Sequence, residues 1–557
     1  MPSGWAWYLK FLESKTMELF VSFILSSVIS IALIPILIKS ASMLNMVDEP
    51  DERKVHTKAI PRCGGLGLAI AALSVILLLL PFEGPIGRLL IGGGIIVLFG
   101  ALDDMLNLNY KWKFFGQFLA VFVMVSGGIY LKFLPFAGLD PAPLWIAYPL
   151  TVLFVVGVTN AVNLSDGLDG LAAGIMLMTV SAIAFYSALV DSSSLAIMAL
   201  ALAGGIVGFL RFNTHPAIVF MGDTGSQFIG FMAASFTIFL IVDVHQTLNP
   251  ALPLLILGIP ILDTLTVMVQ RIRSGLSPFS PDKRHIHHRL LRLGFTHAEA
   301  VGAIYILQAL FLLASFFLRY KSDSVVLGFY LSICFAILLF FYGAARLGWM
   351  LHSVQEPIER RRSFFRRFNW LYKFSKFYIE YSLAIFIGVM IFAMFRHAMM
   401  FTQLEMVFAI AFLCLFWFLN NPLKETLTRL SIYAAGVFSC LILNPSNGVD
   451  HWLVWGVDIF FAVLLIVVFL AVQVTRKSVF SLTTQDVLVG LFILSAMFLA
   501  DIELLPRILF RLFCLGYAVE YLFHRKAKEY RPLKLLAMFS GVMILLIVLP
   551  GVVSTMK

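Results

Sequence analysis

Charge is the scarcest ingredient of this 557-residue chain: Asp, Glu, Lys and Arg make up 13% of it, where a soluble globular protein carries about a quarter. That shortage excludes an ordinary soluble enzyme. Cysteine is scarce as well. The five present, Cys63, Cys334, Cys414, Cys440 and Cys514, show no metal-like spacing and fall mostly within apolar runs. They read as packing residues, so neither a disulfide framework nor a cysteine-based metal site is expected. No basic soluble domain exists, so the formal charge of +10 does not point to nucleic acid. No clear cleavage site follows the first apolar run, Met17 to Ile38, which reads as a first membrane helix and not as a leader. No internal repeat relates the two halves, which counts against the usual plan of a transporter.

What the chain has in abundance is apolar length. It is 60% hydrophobic with a mean hydropathy of +0.94, and apolar runs of about 20 residues recur along it. The fold class that follows is an all-α polytopic membrane protein. Eleven helices are expected over residues 17–350. Among them, the third spans Ile86 to Leu102 and ends on Asp103-Asp104, the fourth reaches about Leu131, and the ninth is one helix from Ala251 to Val269 carrying Asp263. A polar loop follows from Arg271 to about Glu299. Residues 351–376 form a basic cytoplasmic linker with Arg360, Arg361, Arg362, Arg366, Arg367, Lys373 and Lys376, an anchor for anionic headgroups. About seven further spans fill residues 377–557 without a comparable polar cluster; Asp458, Asp501 and Glu503 read as structural there.

Helix parity gives an orientation. With the loop after helix 1 inside, nearly all loop Lys and Arg fall on the same side, as the positive-inside rule requires. The same parity places five polar clusters on the cytoplasmic face: the Arg53–Gly65 loop, Asp103-Asp104, Asn160–Gly170, Gly222–Ser226 and His285-Ile286-His287-His288. Ionisable groups at such boundaries are costly to desolvate and line sites or water-filled clefts. On a helix, Asp166 and Asp169, three residues apart, would share a face. Asp103-Asp104 can bind a hard divalent cation or tune one member into a base by like-charge repulsion. Magnesium suits oxygen ligands shared with phosphates, and Lys111 and Lys113 lie close enough to neutralise a diphosphate. Asp223 stands between glycines at a helix start, where free N–H groups favour an anion. These are parts for phosphoryl transfer from a nucleotide.

Each residue also has a blander reading. The aspartate pair could be a solvated cap, Asp166 and Asp169 could merely cap a helix, and His215 before Pro216 reads as a turn residue. Asp263 could equally be an interhelical hydrogen-bonding group. Zinc is disfavoured at the histidine cluster because no cysteine or remote ligand accompanies it.

Six ordered motifs carry a resemblance: Asp51–His56 with Pro61–Gly65, Leu102-Asp103-Asp104, Asn160–Gly170, Asn213 through Ala217, Phe220–Ser226, and Pro281 through Leu290. The chain resembles the polyprenyl-phosphate N-acetylhexosamine-1-phosphate transferases, over about residues 17–350. The resemblance implies transfer of N-acetylhexosamine 1-phosphate, GlcNAc-1-phosphate by preference, from a UDP-sugar to undecaprenyl phosphate, with release of UMP. It implies magnesium, with manganese as a substitute, and a bacterial inner-membrane location with the site facing the cytoplasm. Partners are the UDP-N-acetylhexosamine, undecaprenyl phosphate and membrane lipid, with no nucleic acid and a homodimer as one assembly. By motif match Asp223 is the metal ligand, and Asp103, Asp104, Asp166 and Asp169 carry catalysis. Lys113, Asn163, Arg271, His285, His287 and His288 bind substrate. The alternatives are the phospho-N-acetylmuramoyl-pentapeptide transferases of peptidoglycan synthesis, whose histidine-loop pattern differs, and an ion-coupled transporter.

Overall fold

The computed structural model describes residues 15–49, 59–133, 141–190, 192–277 and 284–351, together with 378, 381, 455–461, 463, 464 and 467. Expectations for residues 51–58, 281–283 and the 352–376 part of the linker lie outside the described residues, as do most of those for the later spans. The chain divides into two compact units, residues 1–354 with 483–488 and residues 355–482 with 489–557. In the second, Asp458 is buried on a short described helical stretch.

Among its described residues, the first unit has as its strands a two-residue antiparallel pair, β1 (Val47–Asp48) with β2 (Ile60–Pro61), in register Val47 with Pro61. Its helices are α1 (Lys15–Ser40), α2 (Gly64–Leu79), α3 (Gly84–Leu106), α4 (Tyr110–Ser126), α5 (Leu144–Ser165), α6 (Leu171–Ala188), α7 (Ser193–Asn213) and α8 (Gly222–Phe239, continued as a π-helical turn to Val244). There follow α9 (Pro253–Ile256), α10 (Gly258–Arg273), α11 (Ile286–Arg292), α12 (His297–Leu318) and α13 (Asp323–Arg346). Eight described helices are long and apolar enough to cross a membrane; with the shorter α2, α4 and α10 they make the eleven expected. The protein is an integral membrane protein.

Three boundaries differ from expectation, each for a local reason. Helix α3 runs on to Leu106, so Asp103 and Asp104 sit within its last turn, and the left-handed Asn107 ends it. Helix α4 stops at Ser126 because Gly127 and Gly128 follow, the latter at φ 93°. The ninth expected helix is two, α9 and α10, broken at Leu257. The polar loop after Arg271 also folds in part: α11 lifts His287 and His288 onto a short helix.

Helix α8 is the axis, packed on α2, α3, α5 and α6. Water cannot separate helices in lipid, so close packing at small residues does the work. A Cβ on Gly65 would lie 2.3 Å from the Gly225 Cα, and one on Gly100 2.5 Å from the Thr224 Cα. Outside this axis, α1 turns Ser22, Ser26, Ser27 and Ser30 inward, and Ser30 Oγ donates to the Gly205 carbonyl on α7 at 3.0 Å. Phe20, Ile24, Val28 and Ile31 of α1 stay exposed, as a lipid-facing surface requires. The alternating helix ends bring the C-termini of α3, α5 and α7 and the N-termini of α2, α4 and α8 to one level, where the polar motifs meet.

Candidate active site

The start of α8 is built by its neighbours. Gly222 adopts φ 69°, and a Cβ there would meet the Arg62 carbonyl and Asp104 Oδ2, each at 2.5 Å. The first turn of a helix has N–H groups without intrahelical partners, and Met221 at the start of α8 offers no side-chain cap. Asp104, from α3, supplies the cap. Its Oδ1 accepts from the Asp223 N–H at 2.9 Å, and its Oδ2 from the Thr224 N–H at 2.9 Å and the Thr224 hydroxyl at 2.6 Å. On the other flank, the Gly64 and Gly65 N–H groups of α2 donate to the carbonyls of Phe220 and Met221 at 3.0 and 2.9 Å. Asp104 is thus not a solvated cap of its own helix: it is buried, and the helix whose start it caps is 119 residues away in sequence.

This framework holds Asp223 facing Asp103 and Lys113. Lys113 Nζ lies 2.6 Å from Asp103 Oδ2 and bridges to Asp223 Oδ2. Asn163 Nδ2, from α5, donates to Asp223 Oδ1 at 2.8 Å and to Ser226 Oγ at 2.7 Å. Below them a carboxamide chain runs from Asn160 to Gln117 at 2.7 Å and on to Gln227 at 2.9 Å, tying α5, α4 and α8 together. Asp103 Oδ1 is buried with no hydrogen-bond partner. Beside the trio lies a cavity of about 320 Å³ lined by Arg62, Asp103, Asp104, Asn107, Leu108, Lys113, Gly222 and Asp223. The carboxylate oxygens of Asp103 and Asp223, with Asp103 Oδ1 left without a hydrogen-bond partner, are the hard donors that a divalent cation would take.

Asp166 and Asp169 do not share a helical face. The helix ends at Ser165, and α6 begins only after Gly170, at φ 79°. Asp166 remains coupled to the centre: burial first, then the charges of Asp223, Asp169 and Asp104, push its carboxyl up to about 7. Asp169 is committed elsewhere. Its Oδ2 meets His215 Nδ1 at 2.6 Å and accepts from the Ala217 N–H at 3.1 Å. His297 Nε2 meets the Asp169 carbonyl at 3.1 Å, and the His215 and His297 rings stack at 4.1 Å. Asn213 Oδ1 accepts from the Gly170 N–H at 2.8 Å, and the Tyr305 hydroxyl donates to the Gly170 carbonyl at 2.7 Å. Asp169 and His215 therefore clasp the 166–170 turn to the turn after α7.

The histidine segment returns to the same turn. His287 is buried, its Nε2 has no hydrogen-bond partner, and a Cβ on Gly167 would lie 2.3 Å from that nitrogen. Burial, followed by the neighbouring His288, pushes the His287 imidazole down to about 4, so it is neutral near pH 7. His285 Nδ1 lies 2.9 Å from Asp263 Oδ2 on α10, and the ring stacks on His287 at 5.8 Å. Arg271 is buried at the end of α10. The segment is folded back onto α10 by Arg289, whose Nη2 reaches Gln270 Oε1 at 2.5 Å and whose Nε reaches the Arg284 carbonyl at 2.6 Å.

The sequence profile of glycosyl transferase family 4 matches residues 87–241, the stretch from α3 through α8. A probable undecaprenyl-phosphate N-acetylglucosaminyl 1-phosphate transferase of Bacillus subtilis is 34% identical over 352 residues, which are 63% of this chain and 97% of that protein. The decaprenyl-phosphate N-acetylglucosaminephosphotransferase of Mycobacterium leprae is 37% identical over 298 residues, 48% of this chain and 75% of the relative. The undecaprenyl-phosphate alpha-N-acetylglucosaminyl 1-phosphate transferase of Escherichia coli K12 is 31% identical over 336 residues, 58% of this chain and 90% of the relative. The chain belongs to glycosyl transferase family 4.

Within this family member, the fold gathers Asp103, Asp104, Lys113, Asn163 and Asp223 at the start of α8. It sets His287 against the turn that carries Asp166, and turns the side chain of Asp169 to His215. Sequence reasoning gave no role to Arg62, which lines the cavity with its Nη2 3.3 Å from the Asp104 carbonyl. Its only signal was membership of the Pro61–Gly65 motif. Thr224, Ser226 and Asn213 lay inside quoted motifs but, like Asn107, were given no role of their own, because their partners are set only by packing.

Proposed function

We propose that this glycosyl transferase family 4 protein transfers N-acetylglucosamine 1-phosphate from UDP-N-acetylglucosamine to undecaprenyl phosphate, releasing UMP. The reaction would be the first membrane step of a cell-surface polysaccharide, at the cytoplasmic face of a bacterial inner membrane. The observation that carries this reading is the Asp103–Lys113–Asp223 bridge beside a cavity that also holds Arg62. It supplies carboxylates for a cation and two side-chain cations for phosphates. The relatives are named for N-acetylglucosaminyl 1-phosphate transfer with undecaprenyl or decaprenyl phosphate, which favours this transferred group over that of the muramoyl-pentapeptide branch. Charges gathered at one level of helix ends, not at a midplane break, count against an ion-coupled transporter.

Magnesium bound by Asp223 and the unpaired Asp103 Oδ1 would neutralise charge building on the diphosphate. The chain's own residues do the rest. Lys113 and Arg62 hold phosphate oxygens, and Asn163 fixes the rotamer of Asp223. Arg271, His285, His287 and His288 hold the donor from the far side of the 166–170 turn. An oxygen of the lipid phosphate attacks the β-phosphorus of the donor; that bond forms as the bond from the β-phosphorus to the bridging oxygen breaks, and UMP leaves with that oxygen. Purified protein with labelled UDP-N-acetylglucosamine, undecaprenyl phosphate and magnesium is expected to yield UMP and lipid-linked sugar in equal amounts. EDTA and Asp223→Asn should each abolish both products. A preparation that releases no UMP, with Asp223→Asn behaving like the parent, ends the proposal.

A further inference from the structure

We infer that Asp263 is a positioning residue that sets the tautomer and aim of His285, and through that ring the grip on the donor. The inference rests on the reading that the histidine segment faces the donor. Asp263 lies inside α10, is 4% exposed, and spends both carboxylate oxygens on one short stretch of chain. Oδ1 accepts from the Ile286 N–H at 2.8 Å, and Oδ2 sits 2.9 Å from His285 Nδ1. With Oδ2 as its acceptor, Nδ1 is the donating nitrogen of the ring, and in the neutral imidazole the other nitrogen, Nε2, is the acceptor left for a ligand. His285 is itself 4% exposed and lies flat against His287 with 7° between ring planes, so the ring has little freedom to turn.

A cap alone would not call for this residue. Capping the start of α11 takes one acceptor, and a neutral Asn or Ser provides it without the desolvation cost of a buried carboxylate. What Asn cannot provide is two acceptors. Its carboxamide has one oxygen and one NH2, so either the Ile286 N–H loses its partner or the NH2 faces Nδ1 and drives the proton to Nε2. The second outcome presents a donor to the ligand where the native ring presents an acceptor, as in other carboxylate–imidazole pairs that fix a tautomer.

The test is a double-mutant cycle on the full-length protein with Asp263→Asn, His285→Ala and the pair, measuring donor KM, acceptor KM, kcat and thermal midpoint. Asp263→Asn is expected to raise donor KM about 10- to 100-fold, the scale of one charge-assisted hydrogen bond, with acceptor KM unchanged. His285→Ala should raise donor KM similarly, and the pair no further than the worse single variant, because both act through one ring. The inference is overturned if the two effects on donor KM multiply, or if Asp263→Asn lowers the thermal midpoint and leaves donor KM untouched. A parent protein that releases no UMP refutes the transferase reading instead. The pairing is then read from the same cycle in thermal midpoints, where additive losses overturn it.

Discussion

Asp103 and Asp104 are adjacent in sequence yet do different jobs, and their asparagine variants should separate those jobs. Asp104 is 3% exposed and accepts three hydrogen bonds at 2.6 to 2.9 Å from the first turn of α8. Asparagine there offers one acceptor oxygen and turns an NH2 toward a second N–H. One buried N–H without an acceptor costs about 1–3 kcal/mol, and loss of the carboxylate at a helix N-terminus a further ~0.3–1 kcal/mol. A kilocalorie moves the midpoint of a domain this size by roughly 2 °C, so Asp104→Asn should melt about 3–8 °C below the parent. Its turnover should fall because Asp223, whose N–H it holds, shifts with the helix start. Asp103 has one oxygen on Lys113 and one with no hydrogen-bond partner, so Asp103→Asn should melt within about 2 °C of the parent. Its turnover should drop by a factor of about 10² or more. Differential scanning fluorimetry in detergent, beside UMP release at saturating magnesium, reads both quantities. Should Asp104→Asn melt like the parent while losing all turnover, Asp104 touches the reacting groups and its assignment as a cap is wrong.

Four further outcomes follow from the same geometry. Gly65→Ala puts a methyl 2.3 Å from the Gly225 Cα; it should destabilise by more than the ~1–3 kcal/mol of ordinary overpacking, seen as loss of the folded fraction on size-exclusion chromatography. Asp166, held at about 7 against an ordinary 3.8, keeps a proton in the folded state that the unfolded chain has lost, so its contribution to stability declines as pH rises from about 4 to 7. In EDTA, Asp166→Asn should therefore melt above the parent, by a margin that grows through that window and then levels; a margin independent of pH contradicts the assignment. His287 works in the opposite sense: its folded value of about 4 lies below the ordinary 6.5, so stability is full above about 6.5 and is lost as pH falls toward 4. His287→Gln should flatten that acid-side loss in a pH series of melting curves. Finally, the Bacillus subtilis relative is 97% covered by 63% of this chain, and residues 1–354 fall in one compact unit. A chain truncated after Lys376 should therefore keep UMP release within about threefold of the parent, and loss of all activity would make the remaining residues part of the catalytic fold.

Much of this was legible in the sequence because the membrane imposes it. Backbone groups in lipid must pair within their own helix, so apolar length alone marked eleven helices over residues 17–350, and parity placed the motif-bearing ends on one side. The site residues were legible as residue types: carboxylates, carboxamides and histidines stand out where lipid allows so few. Their partners were not. The spacing of Asp166 and Asp169 suggested a common helical face, but the turn at Gly170 gave one to the Asp223 cluster and the other to His215. Nothing local marks Asp104 as the cap of a helix that begins at Gly222, or Asp263 as the partner of His285. These pairings arise where helices meet at glycines small enough to let one backbone reach the next, and that contact exists only once the chain has packed. Apolar patterning was enough to mark the long helices, the way they alternate and the charges at their ends, but not the break at Leu257 or the short helix at Ile286–Arg292. Which carboxylate supports and which is left free to react emerges only from packing, because hydrogen-bond commitment depends on neighbours from 22 to 120 residues away.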